Sequence, residues 1–488
     1  MNSSASPFDL TVRHGQVVTP EGARACDIGV RGEVVAAIEP HLPAGGIDID
    51  ARDAWVLPGG VDAHCHIEQL SSADVMSADD FRSATISAAF GGTTTVLPFA
   101  AQHRGQRVRD VVADYHRRAA KKAVIDYGFH LIVADPGESH FAQDLADCVS
   151  AGISSLKIYM TYERLRLDDH QVLETLMLAD QLGALVMVHA ENHDVIRWIA
   201  ERLLARGHVA PKFHVASHAP AAERDATHRV IQFSRLLDVP VLIVHVSDVE
   251  AIQTLRAARL LGARVHAETC PQYLLLDGDD ADLPGVQGAA FCCSPPARDA
   301  QSREAAWRGL ADGTLEVLSS DHAAFRLDAS GKLPMGSETT FKQMANGVPG
   351  LELRLPLLFT EGVLGGRLDI ERFVAVTATE PAKLFGLHPR KGSITIGADA
   401  DLAVWNSCGD RFVQWAHLHD QAGYTPYEGQ LLKAWPGTVI LRGRVLVAQG
   451  RLHAEPGSGR FIARGRPGAL ERKTPTPDAA RRLRGWLQ

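Results

Sequence analysis

Between residues 59 and 378 the chain repeats one alternation. A short apolar run is followed by a stretch whose apolar residues recur at helical spacing. The runs include "TTTVLPF", "YGFHLIVA", "ISSLKIYM", "ALVMVHAE", "PVLIVHVS", "ARVHAETC" and "TLEVLSSDH". A strand that is apolar on both faces has to be covered on both faces. A helix after each strand supplies the cover, so the pattern predicts a parallel sheet. About eight such units suit an α/β fold of the (β/α)8 TIM-barrel type. An open doubly wound sheet fits less well, because no G-x-G-x-x-G turn follows the first strand.

The flanks have another texture. Residues 8–57 read as short strands that alternate apolar with polar and turn on Gly or Pro, as in "FDLTVRHGQVVT" and "DIGVRGEVVAAIEP". The same texture returns in "GSITIGADADLAVWN" and "GTVILRGRVLVAQGRL". Chain ends commonly lie close together, so strands from both ends are expected to pair. The expected organisation is residues 1–58 and 379–455 forming one small β-sandwich, a catalytic barrel over 59–378, and a C-terminal tail over 456–488.

Composition narrows the class of function. Apolar content of 45% and charged content of 22% are those of a soluble globular protein. A formal net charge of -8 argues against a nucleic-acid partner. No segment reaches the ~18 apolar residues that would span a bilayer. The start "MNSSASPFDLTV" lacks the regions of a signal peptide, and seven scattered cysteines do not form a disulfide framework. The expected location is a reducing cytoplasm.

In a barrel enzyme the chemistry sits at the C-terminal ends of the strands. The polar residues that end or interrupt the runs are therefore the candidates: His64 and His66 in "GGVDAHCHIEQ", Lys157 in "ISSLKIYM", His189, His245 and Asp321. His64 and His66 stand two apart, so in a strand both point to the same side. His417 and His419 share that spacing but end no barrel run, and read as surface or packing residues. An ammonium inside an apolar strand is costly unless paired or modified. Burial and nearby cations lower its pKa, and a neutral lysine amine can add carbon dioxide. The resulting carbamate has two oxygens and can bridge two metal ions. Imidazole and carboxylate ligands without cysteine suit zinc, and also manganese or cobalt. Ligands for two divalent ions imply an activated water between them. His193, four residues after His189, falls beyond the strand end and is left out of the ligand set.

With these residues in place, the chain resembles the dihydropyrimidinase/hydantoinase branch of the cyclic amidohydrolases over nearly its whole length. The motifs that carry the resemblance are "PGGVDAHCH", "DDFRSATISAAFGGTTT", "SLKIYMTY", "VMVHAEN", "IVHVS", "AETCPQYL", "CSPPAR", "SSDH" and "NGVPGLELR". The resemblance implies a (β/α)8 barrel with a β-sandwich from both chain ends. It implies one metal held by His64, His66, carbamylated Lys157 and Asp321, and a second held by Lys157, His189 and His245. Asp321 would also act as general base and acid, and Tyr162 would stabilise the oxyanion. Ser294 and Asn346 match residues whose backbone groups hold the ring amide.

The implied activity is ring opening of a hydantoin or dihydropyrimidine, a small cyclic ureide, to an N-carbamoyl amino acid. Allantoinase, dihydroorotase and a non-catalytic scaffold of the same branch are the alternatives. Relatives of this kind are commonly homotetramers, so the Arg-rich tail is expected against a neighbouring subunit. "HAENH" carries His193 where glycine is typical, and "SSDHAAF" lacks the cysteine often found after "SDH". The loop "QLSSADVMSADD" shares little with its counterparts.

Overall fold

The computed structural model describes residues 6–71, 74–471 and 478–487. The chain begins with β1 (Leu10–Thr19), β2 (Gly22–Arg31), β3 (Val34–Glu39), β4 (Ile47–Asp50) and β5 (Trp55–Pro58). Eight strands then follow one another around a parallel sheet. They are β6 (Gly60–Cys65), β7 (Thr93–Ala101), β9 (His130–Ile132), β10 (Ser155–Tyr159), β11 (Leu185–His189), β12 (Val241–Ile243), β13 (Val265–Thr269) and β14 (Val317–Leu318). The short β8 (Asp126–Tyr127) pairs with β7 beside them. The last strands are β15 (Leu402–Phe412), β16 (Leu431–Leu441), β17 (Arg444–Ala448) and β18 (Arg451–Leu452).

The two chain ends meet where β15 pairs antiparallel with β5, Val404 opposite Val56. One sheet thus runs β18-β17-β16-β15-β5-β1-β2-β3, with β4 beside β1. It carries its own core, including Val12, Ile28, Val56, Leu402 and Ile440. The barrel strands are buried on both faces, β7 and β10 along their whole length. That is why the sequence shows continuous apolar runs there and alternation only at the flanks.

The passage from sheet to barrel is Gly59–Gly60. A Cβ on Gly59 would come within 2.2 Å of Thr94, and one on Gly60 within 2.7 Å of Leu355. A larger residue at Gly59 would have to displace Thr94, and one at Gly60 would press on the tip of Leu355, so the chain enters β6 through a tight passage.

The barrel's first and last strands, β6 and β14, are not neighbours in the sheet order. Other groups close this seam. His66 donates its backbone N–H to the His322 carbonyl at 2.7 Å, and Ser320 donates to Asp62 Oδ1 at 3.1 Å. Arg354, fully buried, donates to the Val61 carbonyl on β6 and to the Leu318 carbonyl on β14, at 3.3 and 2.8 Å. It also reaches Thr93 Oγ1 at 3.0 Å and faces Asp62 at 3.7 Å. One guanidinium therefore clamps the strand that carries His64 and leads to His66 to the strand that leads to Asp321.

The described part of the tail lies on this chain's own barrel. The Ile462 N–H donates to the Tyr127 carbonyl at 2.7 Å, Arg464 Nη2 donates to the Phe129 carbonyl at 2.5 Å, and Phe461 stacks on Phe129. Arg484, in the helix Asp478–Leu487, reaches Asp180 at 2.5 Å. The tail supplies few apolar side chains, but its backbone and arginines satisfy carbonyls at the base of the barrel. Residues 472–477 of the tail lie outside the described residues, as do residues 72–73 of the loop "QLSSADVMSADD". Among the described residues six cysteines are free and buried, and no helix is long and apolar enough to cross a membrane.

Replacing Arg354 by methionine removes the clamp and leaves the Asp62 carboxylate buried without its cation. Breaking a buried pair from one side typically costs about 3–5 kcal/mol. The denaturation midpoint of Arg354→Met is expected to fall by a corresponding amount, and adding Asp62→Asn should recover part of the loss. An unchanged midpoint would show that the seam is closed by other means.

Candidate functional site

The residues singled out from the sequence line one cavity at the C-terminal end of the barrel strands. His64, His66, Lys157, Tyr162, His189, His245, Ser294, Asp321 and Asn346 all face it, joined by Gln69, Tyr159, Leu165, Phe325 and Met344. The strand geometry explains the convergence. Lys157 lies within β10 and His189 ends β11, while His245 and Asp321 stand just beyond the ends of β12 and β14, after Val244 and after Ser319–Ser320.

Asp321 is the centre of the cluster. Its Oδ1 lies 3.1 Å from His64 Nε2 and 3.3 Å from His66 Nε2. Lys157 Nζ lies 3.3 Å from the same His64 Nε2. Donor atoms of His64, His245 and Asp321 come within 4.8 Å of one another, close enough to hold one ion. The rings of His189 and His245 are 4.5 Å apart, which brings the remaining imidazoles to the far side of the same cluster.

Partners behind these rings fix which nitrogen faces the cavity. His64 Nδ1 lies 2.6 Å from Glu268 Oε1, and His66 Nδ1 lies 2.9 Å from Gln69 Oε1. Donation of each Nδ1–H outward leaves Nε2 with a lone pair pointing inward. His189 is held the other way round, its Nε2 2.7 Å from Glu191 Oε2, so Nδ1 is the free nitrogen. Glu191 is steadied in turn by His218 Nδ1 at 2.9 Å. His245 Nδ1 is buried with no hydrogen-bond partner. A buried nitrogen left unpaired is costly unless something occupies the cavity beside it.

The electrostatics point the same way. Burial lowers the Lys157 pKa to about 8, with Asp321 and Glu268 opposing the shift. Burial acts to raise the Asp321 carboxyl, but the imidazoles that face it, His64 first, hold it well below its ordinary value. Burial, then His189 and Lys157, push His245 well below the usual imidazole range. Burial and Lys157 pull His64 down, yet Glu268 and Asp321 outweigh them and leave it raised. His64 alone is thus shifted toward its charged form, while Lys157 and His245, like His66 and His189, are shifted toward the neutral form that offers a lone pair.

Three non-glycine residues at the site adopt left-handed backbone: Tyr162 at φ 68°, His245 at 41° and Asp321 at 46°. Such conformations cost on the order of 1–3 kcal/mol each and persist only where the surroundings impose them. Here they turn a side chain into the cavity directly after a strand. The Tyr162 hydroxyl is buried, and Ser294 and Asn346 lie within hydrogen-bonding reach of it. Asn346 Oδ1 is buried without a partner, so its side chain, and not only its backbone, is free to accept from a ligand.

Sequence reasoning missed Glu268, Glu191 and Gln69. Glu268 carried a readable signal, a carboxylate inside the apolar run "ARVHAETC", which is as costly as the lysine of "ISSLKIYM". Gln69 carried none. His193 stays outside the cluster and pairs with Glu163 at 2.9 Å. His419 packs flat on Phe90, ring centroids 3.7 Å apart, and bonds Glu352, the packing role expected of it.

Residues 55–446 match the model of the amidohydrolase family. A D-hydantoinase of Rhizobium radiobacter is 38% identical over 458 residues, covering 94% of this chain and 99% of that protein. Among solved structures, dihydropyrimidinase from Brevibacillus agri superposes with a TM-score of 0.90 at 37% identity, covering 93% of this chain and 98% of the other. D-hydantoinase from a Bacillus species, strain AR9, gives 0.89 at 38% identity, with coverage of 94% and 99%.

Glu268 gives the cluster its most direct test. Loss of a carboxylate that orients a metal-binding histidine typically weakens metal affinity about 10- to 100-fold. Glu268→Gln should release metal to a chelator at correspondingly lower concentration while its circular dichroism stays unchanged. Metal retention equal to the parent's would remove Glu268 from the account.

Proposed function

The chain belongs to the amidohydrolase family, and from that premise we propose how it hydrolyses the cyclic amide bond of a hydantoin or dihydropyrimidine ring to an N-carbamoyl amino acid. The observation that carries the reading is the single cavity into which all nine candidate residues project. His64, His66, Lys157 and Asp321 would hold one divalent ion, and Lys157, His189 and His245 a second. The donor set supports this, with imidazole lone pairs turned inward, His245 Nδ1 unpaired and Lys157 poised near neutrality for carbamate formation. Imidazole and carboxylate donors without a thiolate suit zinc best. When bound, such ions would acidify a water and polarise the ring carbonyl.

The chain's own residues do the rest. The Asp321 carboxylate, held anionic, takes a proton from the attacking water and delivers it to the departing ring nitrogen. The Tyr162 O–H, kept protonated by burial, donates to the carbonyl oxygen as that oxygen gains charge. Ser294 and Asn346 hold the ring amide, with Asn346 Oδ1 free to accept a ring N–H. Leu165, Phe325 and Met344 wall the cavity with apolar surface, and among the described residues no arginine lines it. A neutral ring with an apolar substituent suits that wall better than a carboxylate-bearing one.

The same reading places residues 1–58 with 379–455 in the sheet domain, 59–378 in the catalytic barrel, and 456–488 in a tail. It gives a cytoplasmic homotetramer in which the exposed side of the tail is available to a neighbour.

Ring opening by metal-replete protein should be measured on dihydrouracil, 5-substituted hydantoins, allantoin and dihydroorotate. Turnover is expected on the first two classes. Preferred turnover of allantoin or dihydroorotate would reassign the substrate. In the same assay Tyr162→Phe should lose about 100- to 1,000-fold in turnover, the usual effect of losing one oxyanion donor, with metal content intact. Near-normal turnover would remove Tyr162 from the chemistry.

A further inference from the structure

His193 takes no part in the cluster, yet it is buried beside the loop that carries Tyr162. It opens the helix His193–Leu204, whose first turn is capped by the Asn192 side chain. Its ring touches both sequence neighbours of Tyr162. Nε2 lies 2.9 Å from Glu163 Oε1, and Nδ1 lies 3.4 Å from Thr161 Oγ1. Burial lowers the His193 pKa, so the ring is neutral, with one donor and one acceptor. The two contacts use both. Nε2–H donates to the Glu163 carboxylate, and Nδ1 accepts the Thr161 hydroxyl.

Between these two anchored residues stands Tyr162, in the left-handed conformation. Its carbonyl accepts from the N–H groups of Leu165 and Arg166, at 2.9 and 2.8 Å, which fixes the loop on its downstream side. Arg104 holds the outer part of the loop through the carbonyls of Arg164 and Arg166. His193 is the group that spans the tyrosine itself. Residues before and after a strained position must be held together if the strained rotation is to persist.

We propose that His193 is a positioning residue. It clamps Thr161 and Glu163 so that the Tyr162 hydroxyl stays aimed into the cavity. The proposal rests on Tyr162 acting in turnover as described above. The clamp adds little to overall stability, because Glu163 is 60% exposed at its side chain and exposed pairs contribute little. Its effect is on aim. A displacement of about 1 Å at a catalytic group can cost on the order of 100-fold in rate.

A double-mutant cycle tests this on the metal-replete enzyme. His193→Ala is expected to lower kcat about 10- to 100-fold with KM changed less than about threefold and metal content unchanged. In the Tyr162→Phe background the same substitution should cost less than about threefold, because there is no hydroxyl left to aim. Glu163→Ala, on the exposed side of the clamp, should show the same non-additivity without touching the core, and it stands in if His193→Ala does not fold. His193→Gln keeps a donor toward Glu163 and should recover much of the loss. Losses that simply multiply with that of Tyr162→Phe would overturn the positioning role and leave Tyr162 in the mechanism. A silent Tyr162→Phe would overturn both.

Discussion

Two carboxylates, Asp321 and Glu268, are buried at the end of the barrel against His64 and within reach of Lys157. Anions in such a place need positive charge beside them, and the surroundings supply it only in part. Glu268 is committed to the back of His64. Asp321 is shared between two imidazoles whose inward nitrogens also need a partner. A cation in the cavity would satisfy all of these groups together, and the tautomers set by Glu268, Gln69 and Glu191 would present lone pairs to it. The rest of the architecture serves to keep this arrangement together. Gly59 and Gly60 form the tight passage into β6, Arg354 closes the seam, and left-handed turns at His245 and Asp321 swing side chains off the strand ends.

The barrel and most of its rim were legible in the sequence because both depend on local pattern. A strand covered on two faces shows as an unbroken apolar run, and a polar residue that ends such a run stands out. His64, His66, His189, His245 and Asp321 were found in this way, and Lys157 by the cost of an ammonium in a strand. The meeting of the chain ends was legible from their shared alternation. It appears in the structure as β5 against β15.

What was illegible depends on contacts between distant segments. Glu268 lies 204 positions from His64, and Arg354 reaches Val61 across 293. No local periodicity marks such pairs. The tail's hold on the barrel is of the same kind, its backbone groups and arginines meeting carbonyls far away in sequence. The contact of His193 with the residues around Tyr162 follows from the path of a loop, which sequence spacing does not give.

Asp321 bears two roles in this account, a ligand's and a proton carrier's, and one substitution separates them. Asparagine keeps the size and one carbonyl oxygen but cannot take up the proton. Turnover and metal content should be measured on a single preparation of Asp321→Asn. The account predicts that turnover is abolished more completely than metal occupancy falls. Full activity with full metal content would reduce Asp321 to a structural residue, which asparagine can replace, and would contradict the mechanism built on it.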